Sequence, residues 1–257
     1  MIRPLLWLMA VLLVLYLCLC AGLWAFQRQL IYFPQPRSLG DTDHLMTLVV
    51  DDTLLRVTVR PHAGPKALIY FGGNAEDVSL NLPAFSRAFP DHALYLLHYR
   101  GFGGSAGAPS EEANQRDAQA LFDQVRGEHP DILVVGRSLG SGVAVRLASQ
   151  RPATGLVLVT PYNSLEEIAA GQFPWLPVSW LLQDKYLSWQ YAASIRVPTL
   201  LIAASEDRII PRASTERLLS QFAAPVASLA VVEGADHNDL SQYPRYLELL
   251  GSLPARR

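Results

Sequence analysis

From residue 5 to residue 26 the chain carries no Asp, Glu, Lys or Arg and is dense in Leu and Val. As a helix rising about 1.5 Å per residue, this run covers roughly 33 Å, enough to cross a hydrocarbon core of about 30 Å. Trp7 and Trp24 lie near its ends, where amphipathic rings favour a membrane interface. The run exceeds the ~7–15 apolar residues of a cleaved signal peptide, so a single-pass anchor is expected over residues 1–27. A linker punctuated by Pro34 and Pro36 follows over 28–44.

Beyond the linker the pattern changes to short apolar runs separated by longer amphipathic ones. Runs at 45–50 and 54–60, parted by Asp51-Asp52-Thr53, suggest a hairpin. Runs at 67–71, 93–97, 132–135, 156–160, 199–203 and 228–232 read as buried strands. Between and after them, helices are expected over 111–126 (capped by Ser110), 139–149, 213–222 and 239–250. Short apolar strands alternating with helices predict an α/β domain over 45–252. Its sheet should be mostly parallel and doubly wound, with the hairpin as an antiparallel edge. In such sheets reactive groups gather at the carboxyl ends of the strands.

Composition changes this picture little. A length of 257 residues fits one large domain or a domain plus an appendage. A net charge of −2 with no basic patch argues against a nucleic-acid partner. Both cysteines, Cys18 and Cys20, fall inside the apolar run, so the remainder has neither a disulfide nor a thiol nucleophile, and redox chemistry does not reveal the compartment. Arg3 before the span nearly balances Arg28 and Arg37 after it. The side of the membrane is therefore open, with an extracytoplasmic domain the leaning expectation.

The sharpest chemical signal is Gly136-Arg137-Ser138-Leu139-Gly140, set between a buried strand and a small-residue helix. A nucleophile on so tight an elbow adopts strained backbone angles, and flanking glycines let strand and helix approach. A serine hydroxyl needs a base to become a useful nucleophile. Of six histidines only His237 follows Ser138, in a loop between the last strand and the last helix, which fits the order Ser, acid, His. Asp207, after the strand at 199–203, is the expected acid, with Glu206 and Asp236 as rivals. The backbone N–H of Asn74, in the glycine loop after the third strand, would pair with that of Leu139 to bind an oxyanion. Residues 161–197 hold Tyr162, Phe173, Trp175, Trp180, Trp189 and Tyr191. They suggest a lid, with Tyr162, Phe173 and Trp175 contacting substrate in an apolar pocket. Arg100 is expected in a buried ion pair, and His98 in packing.

The chain resembles the membrane-anchored branch of the α/β-hydrolase superfamily, with its abhydrolase-domain thioesterases, lipid hydrolases and serine-aminopeptidase-like proteins. FQRQLIYFP, FGGNAED, HYRGFGGSAGAPSE, VVGRSLGSGVA, TPYNSLEEIA, ASEDRIIP and EGADHNDL carry the resemblance from residue 26 to about 240. Relatives usually have His-Gly-Asn-Ala where this chain has Gly72-Gly73-Asn74-Ala75; the resemblance implies that the histidine shapes the loop. A serine hydrolase acting on an ester or thioester of a lipid or acylated substrate is implied, with no metal or organic cofactor. Amide or peptide cleavage by the same residues, or a membrane-tethered binding protein without turnover, are the alternatives.

Overall fold

A computed structural model describes residues 2–40 and 44–252. Helix α1 (Ile2–Ile31) is the charge-poor apolar run. It continues four residues past the expected anchor boundary, because Gln27, Arg28 and Tyr32 find partners on the domain. The extended linker begins only after Ile31, where Pro34 and Pro36 disfavour helix in the residues before them. Residues 41–43 of that linker lie outside the described residues.

Strands β1 (Leu45–Val50) and β2 (Thr53–Arg60) form the hairpin. Its two-residue turn, Asp51-Asp52, has φ of 47° and 58°, matching the backbone twist that tight hairpins need. The rest of the sheet is β3 (Lys66–Phe71), β4 (Ala93–Leu97), β5 (Asp131–Arg137), β6 (Gly155–Val159), β7 (Thr199–Ala204) and β8 (Ala227–Val232). The eight strands run in the order β1-β2-β4-β3-β5-β6-β7-β8. Pairings β1–β2 and β2–β4 are antiparallel and the others parallel, so the antiparallel edge is where the hairpin predicted it.

The helices are α2 (Leu82–Ala88), α3 (Glu111–Arg126), α4 (Leu139–Gln150), α5 (Leu165–Gln172), α6 (Val178–Leu181), α7 (Ser188–Ala192), α8 (Arg212–Gln221) and α9 (Pro244–Gly251). Alternate strand residues serve opposite faces. Ile69, Phe71, Ile132 and Val134 pack toward α3, α4 and α8, whereas Leu68, Tyr70, Leu133 and Val135 pack toward α2 and α9. Both faces are thus covered, which is why the central strands read as unbroken apolar runs.

Two further helices differ from the sequence expectation. Helix α2 was not expected, since its 3₁₀ lead-in (Val78–Asn81) and Pro83 break the period. The last helix starts at Pro244 rather than 239, because Tyr243 is held extended before the proline (ψ 127°) and a 3₁₀ turn fills Leu240–Gln242. Residues 161–197 form a cap of three short helices, α5 to α7, over the carboxyl ends of the strands.

Candidate active site

The site starts at the end of β5, where the chain turns into α4. Ser138 adopts φ 49° and ψ −118°, a strained conformation for a residue with a side chain, of the kind stored at functional elbows. The turn is possible because its two glycines have no side chain. A Cβ on Gly140 would lie 2.6 Å from the Gly72 carbonyl oxygen, and one on Gly136 would lie 2.6 Å from Ala144 Cβ.

Three loops converge on this elbow. His237 Nε2 lies 3.0 Å from Ser138 Oγ. Its other ring nitrogen, Nδ1, lies 2.7 Å from Asp207 Oδ2. The second Asp207 oxygen accepts the N–H groups of Ile209 and Ile210 at 2.9 and 2.7 Å. With an acceptor on Nδ1, the neutral imidazole carries its proton there and leaves Nε2 free to accept from the serine. The histidine and aspartate side chains are 6% and 4% exposed, so water competes little for these bonds. Of the rivals, Glu206 is exposed, and among the described residues the Asp236 side chain accepts only the Asn238 N–H.

Asn74 stands beside the serine in one cavity with Leu139. Neither its N–H nor that of Leu139 is among the backbone bonds made outside the helices and strands by the described residues. The Asn74 side chain is bonded to the end of α1. Its Oδ1 accepts the Phe33 N–H at 3.0 Å and its amide donates to the Ile31 carbonyl, so the loop is fastened to the end of α1.

Glu76 and Arg137 are site residues that sequence reasoning missed. Glu76 accepts from the Gly73 N–H, Tyr70 hydroxyl, Asn81 amide and Arg137 guanidinium at 2.6, 2.8, 2.6 and 3.1 Å. Arg137, adjacent to Ser138, also donates to the His237 carbonyl at 3.1 Å. Burial alone would lower its pKa, but the Glu76 charge holds it above the ordinary value. This pair joins the glycine loop, the elbow and the histidine loop. Tyr99 adds a bond from its hydroxyl to the Gly72 carbonyl, 3.0 Å. The loop is therefore fixed without the histidine that the resemblance led one to expect there, and a side chain at Gly72 would overlap Val78. The acidic Glu76 within FGGNAED was the available signal; its charged partner Arg137 lies 61 residues along the chain.

Above Ser138 lies a cavity of about 670 Å³, within the range of small-molecule sites. Phe173 and Trp175 line it as a T-shaped pair, 45% and 56% exposed. Tyr162 also lines it but is fully buried, its hydroxyl donating to the Leu139 carbonyl at 3.1 Å. Among the described residues that line it, none is Asp, Glu, Lys or Arg. Among the described residues no group of three or more His, Cys, Asp or Glu side chains could hold a metal ion. Arg100 forms a two-pronged ion pair with buried Asp117, and His98 is buried against the Thr58 hydroxyl at 2.8 Å.

Comparison with known proteins adds an independent view. A family model described as serine aminopeptidase, S33, matches residues 84–191, a span that includes Ser138 but neither Asp207 nor His237. The uncharacterized protein Rv2307c of Mycobacterium tuberculosis is 38% identical over 236 residues, covering 84% of this chain and 82% of that protein. The α/β-hydrolase domain-containing protein WAV2 of Arabidopsis thaliana is 26% identical over 250 residues, covering 83% and 81%. Among solved structures, the Pyrococcus furiosus esterase Pf2001 superposes with a TM-score of 0.68 at 19% identity, covering 86% of this chain and 98% of the esterase. At that identity the likeness shows a shared fold alone.

Proposed function

Because the chain belongs to the α/β-hydrolase superfamily, we propose that it is a serine hydrolase cleaving a carboxylic ester or thioester through an acyl-enzyme on Ser138. The observation that carries this reading is the unbroken chain of bonds from Ser138 Oγ through His237 to Asp207.

Ser138 Oγ attacks the substrate carbonyl carbon while its proton passes to His237 Nε2. The Asp207 carboxylate steadies the imidazolium that forms. Negative charge on the former carbonyl oxygen is received by the N–H groups of Asn74 and Leu139. Collapse of the tetrahedral intermediate expels the alcohol or thiol, which takes the proton from His237. A water molecule, deprotonated by the same imidazole, then hydrolyses the acyl-enzyme and restores the serine.

The pocket favours an acyl group over a peptide. An aminopeptidase must pair the charged amino terminus of its substrate, which calls for a carboxylate at the site, and the lining residues include none. The long apolar helix supports a membrane location. Its most apolar window is only 6% buried, and Leu5, Leu6, Trp7, Leu12 and Leu15 are all more than half exposed. An apolar surface that large is normally covered in a soluble monomer.

The test is to incubate the full chain with a fluorophosphonate and with p-nitrophenyl esters beside Ser138→Ala. Labelling and turnover by the natural sequence, both lost in the variant, are expected. Equal turnover by the two proteins would remove the proposal.

A further inference from the structure

Helix α1 does more than leave the domain. Leu19, Leu23, Gln27, Leu30 and Ile31 line the cavity above Ser138. Their spacing places them along one stripe of the helix, and from Leu19 to Ile31 that stripe extends roughly 18 Å. Ile168 and Leu176 of the cap form the facing wall. The serine lies at the Ile31 end, where Asn74 is bonded to the helix terminus. Leu19 marks the far end.

The helix is fastened to the cap by specific bonds. Gln27 donates to the Leu181 carbonyl at 3.0 Å and accepts the Gln183 N–H at 2.7 Å. The one polar side chain on the stripe is thereby spent, leaving the helix wall apolar toward the cavity. Arg28 and the buried Tyr32 hydroxyl both donate to Asp184, at 3.1 and 3.0 Å. Higher on the helix, Tyr16 donates to the Trp175 carbonyl at 3.0 Å. The cap therefore reaches residues 16–24, inside the charge-free run of 5–26. Trp175 and Trp180, 56% and 87% exposed, sit on this cap as amphipathic rings do at a bilayer surface.

Resting on the acyl-transfer reading above, we infer that the slot between α1 and the cap is an acyl-chain site, with Leu19 and Leu23 setting the chain length and its far end open to the bilayer. The occupant is the long acyl chain of a membrane-resident ester or thioester. Its carbonyl is at Ser138 and its tail runs back along α1 toward the hydrocarbon from which it came. The volume agrees: at about 30 Å³ for each water-sized group, the cavity holds roughly twenty of them. The absence of charged lining residues agrees as well, since a charged occupant would be stripped of water without a partner.

The inference is tested on the full chain in phosphatidylcholine vesicles with p-nitrophenyl esters from butyrate to palmitate. Fluorophosphonate labelling of Ser138 reports which variants are folded. Leu23→Trp, filling the slot midway, should lower the palmitate-to-butyrate ratio of kcat/KM by at least about tenfold. Leu19→Trp should move the limit to longer chains than Leu23→Trp allows. Leu23→Ala, which adds space, should raise the ratio. Leu17→Trp, about 200° around the helix from Leu19, should keep the natural profile. Identical profiles in all labelled variants would overturn the inference while leaving the hydrolase reading intact. If the natural sequence cleaves no ester of any length, it is the hydrolase reading that fails.

Discussion

Glu76 is the residue whose removal should show how the site is held. It bonds Gly73, beside the proposed oxyanion donor Asn74, and Arg137, beside the proposed nucleophile Ser138. It touches no reacting atom, so it positions rather than reacts. Glu76→Ala is expected to lower kcat for a short ester by about 100-fold, the scale of a misplaced reacting geometry, while KM stays nearly constant. A proportional rise in KM with kcat unchanged would contradict the positioning role. His98 gives a second expectation, on stability. Burial lowers its pKa to about 4, below the usual 6.5. Between those values the unfolded chain binds a proton that the folded chain does not, so stability falls as pH drops through that window. The full loss is about 3 kcal/mol. Tm measured from pH 7 to pH 4 should fall less steeply for His98→Gln than for the natural sequence; parallel curves would refute it. The contrast among these residues shows what a sequence can carry. Ser138, Asp207 and His237 were legible because each sits in a short motif at a strand end, in a fixed order. Glu76 was not, because its bond to Arg137, which in turn holds the His237 loop, joins segments that only folding brings together.

At the scale of elements, the crossing of α4 over β3 and β5 is the critical contact. Gly140 packs directly on the Phe71 and Gly72 carbonyls, and backbone cannot yield as a side-chain tip can. Gly140→Ala should therefore destabilise the domain by about 3 kcal/mol, the upper end of overpacking costs. Thermal unfolding measures it, and an unchanged Tm would show that the elbow has slack. Elements with strong caps or unbroken apolar runs were readable. Helix α3 spans the expected residues, with the Ser110 hydroxyl accepting the Ala113 N–H. Elements set by local backbone restriction were not, as the proline-delayed start of α9 and the short α2 show. The overrun of α1 to Ile31 had another cause: its last turn is held by tertiary partners on the cap and by the Asn74 loop.

For the whole molecule, the sheet and its hairpin edge were legible, and the packing of α1 on the cap was not. Composition separated an apolar helix from an α/β domain and marked residues 161–197 as an aromatic cap. Nothing in the order of residues places Leu19–Ile31 against Leu165–Leu182, since that packing depends on where the chain leaves the helix and returns through the sheet. In the folded molecule a helix that looks like a tether becomes a wall of the cavity above Ser138. Ser138 is the residue on which the proposed chemistry rests. The most direct test is to map, by mass spectrometry of peptides, where a fluorophosphonate attaches to the folded, full-length protein. The account predicts one adduct, on the peptide containing Ser138, that disappears in His237→Ala as well as in Ser138→Ala. A folded protein that takes no label at Ser138, or labels equally without His237, would contradict it.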